Sequence, residues 1–503
     1  MTFHRSLAAL AVFSTLPSLN AAEKDNKSDQ VTMVQGNLTL DRAVALAVRQ
    51  NPDILRAEKE IERTRGQVLE VRAQALPHVD LNGSYSQTDP DLLERNSGGG
   101  NGASFQALGP DGKVTTINFN NTQLNDSGGD KSWRIAIEAR QLLYSGGQVK
   151  AALEIAKFTE DQSIYTMRET VDRIIAQTRS QFYLVLLNRQ LIKVAEENIG
   201  LLADELKDQK NRFDAGTVPK FNVLRAEVAL ANAQPDLVRS KNAYLIAQIE
   251  LAKTLGLMAS RAANAKPSFE VVGELLMSER NQSQAQALAT ARERRPFLKA
   301  QRQSILIEEQ QITVARAGYK PQLEATGGYE AHNSRLSDDL GEVVNGWTFG
   351  VDGSWAIFDG FATKGRIQQA QARLASAKIT YDDSVRQVEL EVQQAFARLG
   401  EARELITGQG KVVEQATEAL RLARERLAAG AGTQLDVLDA QVELTKARTT
   451  QQQALYDYNT AAAEFDRATG TQTIYQEPGM PVKPVKSVKP VKVEPAPKKK
   501  GKK

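Results

Sequence analysis

The chain of 503 residues contains no cysteine. Thiolate nucleophiles, disulfides, thiolate metal sites and a lipid anchor on an N-terminal cysteine are thereby excluded. Histidine is nearly absent: His4 lies within the first 22 residues, leaving only His78 and His332, each beside a strand-like segment. A solvated or pore-lining side chain is the simpler reading of both than catalysis or metal binding. No nucleotide-binding loop occurs either, because the Gly98-Gly99-Gly100-Asn101-Gly102 cluster does not join a strand to a helix. The expectation is a protein that is not an enzyme, with no catalytic residues, no bound metal and no cofactor. After the first 22 residues no apolar run approaches the ~18 that a membrane-spanning helix needs.

A basic surface is also missing. The formal net charge is +3, but nine lysines and a single acid, Glu494, fall between Gly479 and Lys503. Setting those and Arg5 aside leaves 54 basic and 60 acidic residues, so the body offers nothing to nucleic acid. The Pro-Val-Lys triplets at 481–483, 484–486 and 490–492 read as an extended, solvated tail, with binding of an anionic partner as the alternative. At the other end, Arg5, the apolar stretch Leu7 to Leu16, Pro17 and Asn20-Ala21-Ala22 have the layout of a secretory signal peptide over residues 1–22. A polar leader, 23–37, follows.

What the chain does contain is itself, twice. Trp133 to Gly256 aligns without a gap onto Trp347 to Gly470, which places Gly146 on Gly360, Phe182 on Phe396, Arg212 on Arg426, Gly216 on Gly430 and Tyr244 on Tyr458. Upstream, Pro52, Ile61, Pro77, Gly83 and Tyr85 repeat as Pro296, Ile305, Pro321, Gly327 and Tyr329. The domain plan is therefore a first structural repeat over 38–256, a joining segment over 257–284, a second repeat over 285–470, and the tail over 471–503.

Each repeat reads as helix, two strands, a long helix and a returning helix. Val79, Leu81, Gly83 and Tyr85 alternate with His78, Asp80, Asn82 and Ser84, and Trp133, Ile135, Ile137 and Ala139 alternate with Arg134, Ala136, Glu138 and Arg140. That two-residue period predicts strands wet on one face. The four predicted strands are 77–88, 131–143, 321–331 and 346–358, each near the ~10 residues of a tilted membrane strand. A long polar loop separates the first two. From Gly147 onward, Ile164, Met167, Val171, Ile174, Thr178, Gln181, Val185, Asn188, Ile192, Ala195, Ile199, Leu202, Leu206, Gln209 and Phe213 form a heptad seam, repeated by Ile406, Val413, Ala416, Leu420, Ala423 and Leu427. A helix of that length spans about 100 Å, and the leading and returning helices, each about half as long, stack end to end beside it. Four strands close no barrel with a lumen, and open edges are not tolerated in lipid, so copies of the chain must assemble.

These features together resemble the TolC-type outer-membrane efflux protein family. The resemblance rests on Leu38-Thr39-Leu40-Asp41-Arg42-Ala43 with Asn51-Pro52, on Trp355 to Gly360, and on Arg426 to Gly430 followed by Asp436-Val437-Leu438-Asp439-Ala440. It implies a mixed α and β fold: a homotrimer whose twelve strands form an outer-membrane β-barrel, continued by a periplasmic α-helical coiled-coil barrel. It implies a passive exit duct for tripartite efflux or type I secretion, embedded in outer-membrane lipid. The expected partners are a periplasmic adaptor (membrane-fusion) protein and an inner-membrane pump of the RND, ABC or MFS type. A soluble periplasmic coiled-coil scaffold is the alternative. Residue by residue, Arg212, Gly216 and Thr217, and Arg426, Gly430 and Thr433, match the adaptor-contacting hairpin tips. Asp436 and Asp439 match the acids that narrow the pore, where the first repeat has Asn222 and Arg225. On their own chemistry, the glycines also suit any helix-ending turn and the acids suit any helix start. The chain departs from the family at Gly432, where a latch arginine often stands.

Overall fold

A computed structural model of the chain describes residues 36–89, 104–108, 114–118, 131–257, 269–278, 280, 282–333 and 340–472. The signal peptide, nearly all of the leader, the 98–102 glycine cluster, residues 258–268 and the tail beyond 472 lie outside the described residues.

The elements run β1 (Gly36–Leu38), α1 (Leu40–Gln50), α2 (Pro52–Ala73), β2 (His78–Gln87), β3 (Ser104–Leu108), β4 (Val114–Asn118), β5 (Lys131–Tyr144), α3 (Gln148–Asp214) and α4 (Lys220–Thr254), then β6 (Phe269–Val271), α5 (Gln284–Arg294), α6 (Pro296–Ala317), β7 (Gln322–Asn333), β8 (Val343–Ser354), α7 (Ala362–Ala428) and α8 (Gln434–Thr469). The two repeats agree closely in length. Both long helices, α3 and α7, have 67 residues, about 100 Å at 1.5 Å per residue. The leading helices pair as 11 and 11 and as 22 and 22 residues, and the returning helices as 35 and 36. Among the described residues no helix is long and apolar enough to cross a membrane.

Each leading helix is two helices, because a proline pushes the residue before it out of the helical region. Asn51 (φ −64°, ψ 128°) precedes Pro52, and Arg295 (φ −59°, ψ 118°) precedes Pro296. Asn51 turns the break into a joint: its Oδ1 accepts from the Asp53 amide at 2.8 Å, and its Nδ2 donates to the Thr254 carbonyl at 2.8 Å. Arg295 occupies the matching joint of the second repeat. Its guanidinium is 3% exposed and donates to Glu169 at 2.9 Å, to Glu391 at 3.0 Å and to the Arg467 carbonyl at 3.0 Å. Arg467 in turn reaches Glu169 at 3.5 Å, Glu391 at 3.1 Å and Glu464. Two guanidinium groups and three carboxylates thus bind α3, α7, α8 and the α5–α6 joint at mid-length.

The main apolar core lies at the same level. Phe182, Val185 and Leu186 of α3 pack with Leu38, Ile54, Leu251, Leu255 and Val271, all nearly or fully buried. Much of the predicted seam is buried, including Val171, Ile174, Val185 and Leu202. Phe213 is not: it is 41% exposed, because α3 runs out of neighbours just before its tip.

The sheet has the order β2-β5-β7-β8, every neighbour antiparallel. Its register puts Val79 beside Ala139, Leu81 beside Ile137, and Tyr329 between Ile137 and Trp347, so one face is apolar. The opposite face carries Arg134, which reaches Glu330 at 2.6 Å and Glu138 at 3.6 Å. The apolar face is bare, with Leu81 70% and Trp347 78% exposed, and β2 and β8 are open edges. Two boundaries differ from the sequence expectation. β7 and β8 pair from Asn333–Val343 to Gln322–Ser354, so β8 starts earlier and stops before Trp355. Pro321 has no amide hydrogen to extend the ladder, so 355–358 lose their partner. The long first loop also holds a small hairpin, β3 with β4.

Candidate functional site

A helix of 67 residues must end without leaving its last carbonyls unpaired, and both long helices end identically. At the first tip Gly216 lies at φ +75°, its amide donates to the Phe213 carbonyl at 2.8 Å, and the Thr217 amide donates to Arg212 at 2.8 Å. At the second, Gly430 lies at φ +73°, with bonds from its amide to Leu427 at 3.2 Å and from Ala431 to Arg426 at 2.8 Å. This double closure needs a left-handed residue, which glycine adopts without strain. A Cβ on Gly216 or Gly430 would meet nothing within 4 Å, so each tip is open on its outer side.

The predicted tip residues are together but not equivalent. Thr217 bonds backward, its hydroxyl donating to the Arg212 carbonyl at 2.8 Å. Thr433 faces forward and caps α8. Arg212 pairs with Asp208 at 2.8 Å, whereas Arg426 donates to the Ala431 carbonyl at 3.3 Å. At Gly432 a side chain would begin 3.1 Å from the Arg426 Cβ and 3.2 Å from the Leu427 amide nitrogen. Gly432 is thus hemmed in by the end of the preceding helix.

Asp436 and Asp439 both stand exposed at the start of α8, one helical turn apart. Asp436 closes a capping box: its Oδ2 accepts from the Thr433 amide at 2.8 Å and from the Thr433 hydroxyl at 2.9 Å, while its own amide donates to Thr433 Oγ1 at 3.3 Å. The Thr433 amide, then its hydroxyl, and then the charge of Arg426 hold the Asp436 carboxyl below its ordinary range. It is therefore ionised at neutral pH. The Asp439 carboxylate has no hydrogen bond or ion pair among the described residues, which leaves it free toward solvent. The first hairpin differs: Pro219 starts α4 without a side-chain cap, and the Arg225 guanidinium lies 5.5 Å over the Phe221 ring.

Sequence reasoning missed what ties the two hairpins together. Gln434, almost fully buried, donates across the gap to the Asn222 carbonyl at 3.0 Å, and Gln441 donates to Asn198 Oδ1 at 3.2 Å. Thr445 also reaches Asn198 Oδ1, and Arg448 pairs with Glu197. Glutamine carries no periodic signal, although the Thr-x-x-Asp spacing of the cap was visible. Among the described residues no group of histidine and acidic side chains is placed to hold a metal ion.

Comparison with known proteins agrees with this architecture. The family model described as outer membrane efflux protein matches residues 43–257 and 287–471. The chain is 23% identical to the outer membrane efflux protein BepC of Brucella suis over 68% of this chain and 73% of that one. It is 24% identical to the cobalt-zinc-cadmium resistance protein CzcC of Cupriavidus metallidurans over 92% and 98%. Among solved structures, the outer membrane protein VceC of Vibrio cholerae superposes with a TM-score of 0.68 at 16% identity, covering 86% of this chain and 96% of that one.

Proposed function

The chain belongs to the outer membrane efflux protein family, and from that premise we propose that three copies form a continuous passive duct that docks a periplasmic adaptor and receives cargo from an inner-membrane pump. It is a protein of the outer membrane, with its helical tunnel in the periplasm. The bare apolar sheet face with two open edges carries the proposal. A face on which Leu81 and Trp347 are mostly exposed is costly in water, and open edges are not tolerated in lipid, so closure with other copies answers both. A soluble scaffold leaves that face unexplained and is not favoured.

With four strands per chain, three copies supply the twelve of a closed barrel wide enough for a lumen. Detergent-solubilised protein is expected to have the mass of three chains, measured by light scattering with the detergent contribution subtracted. A monodisperse monomer or dimer would reject the architecture.

In the trimer, Asp436 and Asp439 would place six carboxylates around the narrow end, where acidic rings favour cations. Asp436 keeps its charge within its cap, so Asp439→Asn should remove three of the six charges and lower the preference for cations in planar-bilayer recordings, and the double Asn variant should lower it further and weaken block by trivalent cations. Unchanged selectivity in Asp439→Asn and in the double Asn variant would place both acids away from the pore.

A further inference from the structure

In the first repeat the long helix is not bare at mid-length. Beyond α4 the chain crosses α3 as β6 and the residues after it, and Val271 is fully buried in one cluster with Phe182 and Leu186. A Cβ on Gly273 would stand 3.5 Å from Leu186 and 3.6 Å from Phe182, so the backbone lies flat on that helix. Arg189 locks the crossing, donating to the Val271 carbonyl at 2.7 Å and to the Gly273 carbonyl at 2.6 Å. The joining segment is thus a strap held by one guanidinium.

The second long helix carries the same seat. Phe396, Gly400, Arg403 and Leu405 of α7 are the repeat mates of Phe182, Leu186, Arg189 and Leu191. Among the described residues nothing covers it: Leu405 is 45% exposed, whereas Leu191 packs on the main core. Where α3 has Leu186, a Cβ on Gly400 would meet nothing within 4 Å. A groove of about 490 Å³ opens there, lined by Gly400, Arg403, Glu404, Thr407, Gly408 and Lys411.

The chain itself supplies an occupant. Gly256 and Gly470 end the returning helices at φ +71° and +67°, and each abuts the joint of its leading helices, at Gln50 and at Arg294. The backbone therefore leaves both helices from matching places. Val271 and Gly273 follow Gly256 by 15 and 17 residues, and the same spacing beyond Gly470 reaches Val485 and Ser487, with Pro481 falling on Pro267. From Pro481 to Lys492, valine and lysine each recur at every third residue. A polyproline helix has three residues per turn, so it would set Val482, Val485 and Val488 on one face and Lys483, Lys486 and Lys489 on another. Prolines cannot donate to a ladder like that of β1 with β6. A guanidinium needs only carbonyls, however, and a polyproline helix leaves all of its carbonyls unpaired.

We infer that residues 481–489 lie across α7 as a second strap, with their valines on Phe396 and Leu405 and the carbonyls near Val485 held by Arg403. The lysine face turns to water, because Arg403 and Lys411 already line the groove. The strap gives α7 the mid-length collar that β6 gives α3. It belongs to each chain and holds whether or not three copies form a duct.

The chain has no cysteine, so a pair of introduced cysteines reports the contact directly. The full chain in detergent carries Gly400→Cys with Ser487→Cys, at the mates of Leu186 and Gly273; a control carries Gly400→Cys with Gly501→Cys. Disulfide formation under mild copper–phenanthroline oxidation is followed by mass spectrometry of the joined peptides, and non-reducing gels separate links within a chain from links between chains. The 487 pair is expected to close within one chain about tenfold faster than the 501 pair, since docking raises the local concentration above that of a free tether. Adding Arg403→Leu, a change at an exposed helix position, should bring the two rates together. Equal rates for the two pairs without that change would reduce the tail to a free tether and overturn the strap. Links formed mainly between chains would overturn it as well, by assigning the groove to the tail of another copy. A 487 rate untouched by Arg403→Leu would overturn the arginine's part in it.

Discussion

Replacing Gly430 by tryptophan is expected to abolish binding of the proposed periplasmic adaptor in a pull-down, while the proposed trimer still assembles and inserts. The geometry separates the two effects. Gly430 lies at φ +73° with open space where a Cβ would point, so the indole projects outward and disturbs no packing within its hairpin. The cost to the fold is confined to holding a bulky residue in the left-handed region, about 1–2 kcal/mol, spread over a helix of 67 residues. The cost to a partner helix seated on the tip is steric and therefore large. Gly430→Asn separates strain from bulk, because asparagine accepts left-handed geometry and is small. It should retain most of the capture. Undiminished pull-down with the tryptophan variant would return Gly430, and by analogy Gly216, to the role of turn residues.

Replacing the buried Arg295 by methionine should cost the fold substantial stability. Its guanidinium is 3% exposed and shared by Glu169, Glu391 and the Arg467 carbonyl. Removing one member of a buried ionic cluster leaves desolvated charge behind, at a typical cost of 3–5 kcal/mol. The two acids are 22% and 26% exposed and Arg467 still reaches both, so about 3 kcal/mol is expected, at the low end of that range. The midpoint of thermal unfolding, followed by circular dichroism, should fall accordingly. Adding Glu169→Gln and Glu391→Gln should recover much of the loss. A single variant as stable as the parent would show that water already solvates the cluster.

Much of this fold is legible in the sequence, because a repeat states every element twice. The alternation at Val79–Tyr85 and Trp133–Ala139 marks the faces that the sheet presents, and the spacing of Ile174, Val185 and Leu202 marks the buried stripe of α3. What escapes is set by partners distant in the chain. The end of β8 depends on Pro321, which stands just before the strand opposite. The role of Arg295 depends on acids 126 residues before it and 96 after it, and nothing near it announces them. The same holds for Gln434, whose acceptor lies 212 residues away. The groove on α7 is legible only by comparison of Gly400 with Leu186, where one repeat shows what the other has given up.

The ionic cluster around Arg295 and Arg467 lies where α8 ends, a full helix length from the hairpin tips. With 36 residues, α8 is a lever arm of about 54 Å pivoting at a rigid fulcrum. A swing of about 5° there displaces the Asp439 end by about 5 Å, from the arm length alone. Against that motion stand the buried cluster of Leu420, Val437 and Leu444 with Leu201, and polar clasps near the moving end, Gln434 to Asn222 and Gln441 to Asn198, with the pair Arg448–Glu197 farther up. The hairpins are therefore pinned by a buried ionic cluster at one end and, at the other, by one small apolar cluster and a few polar clasps.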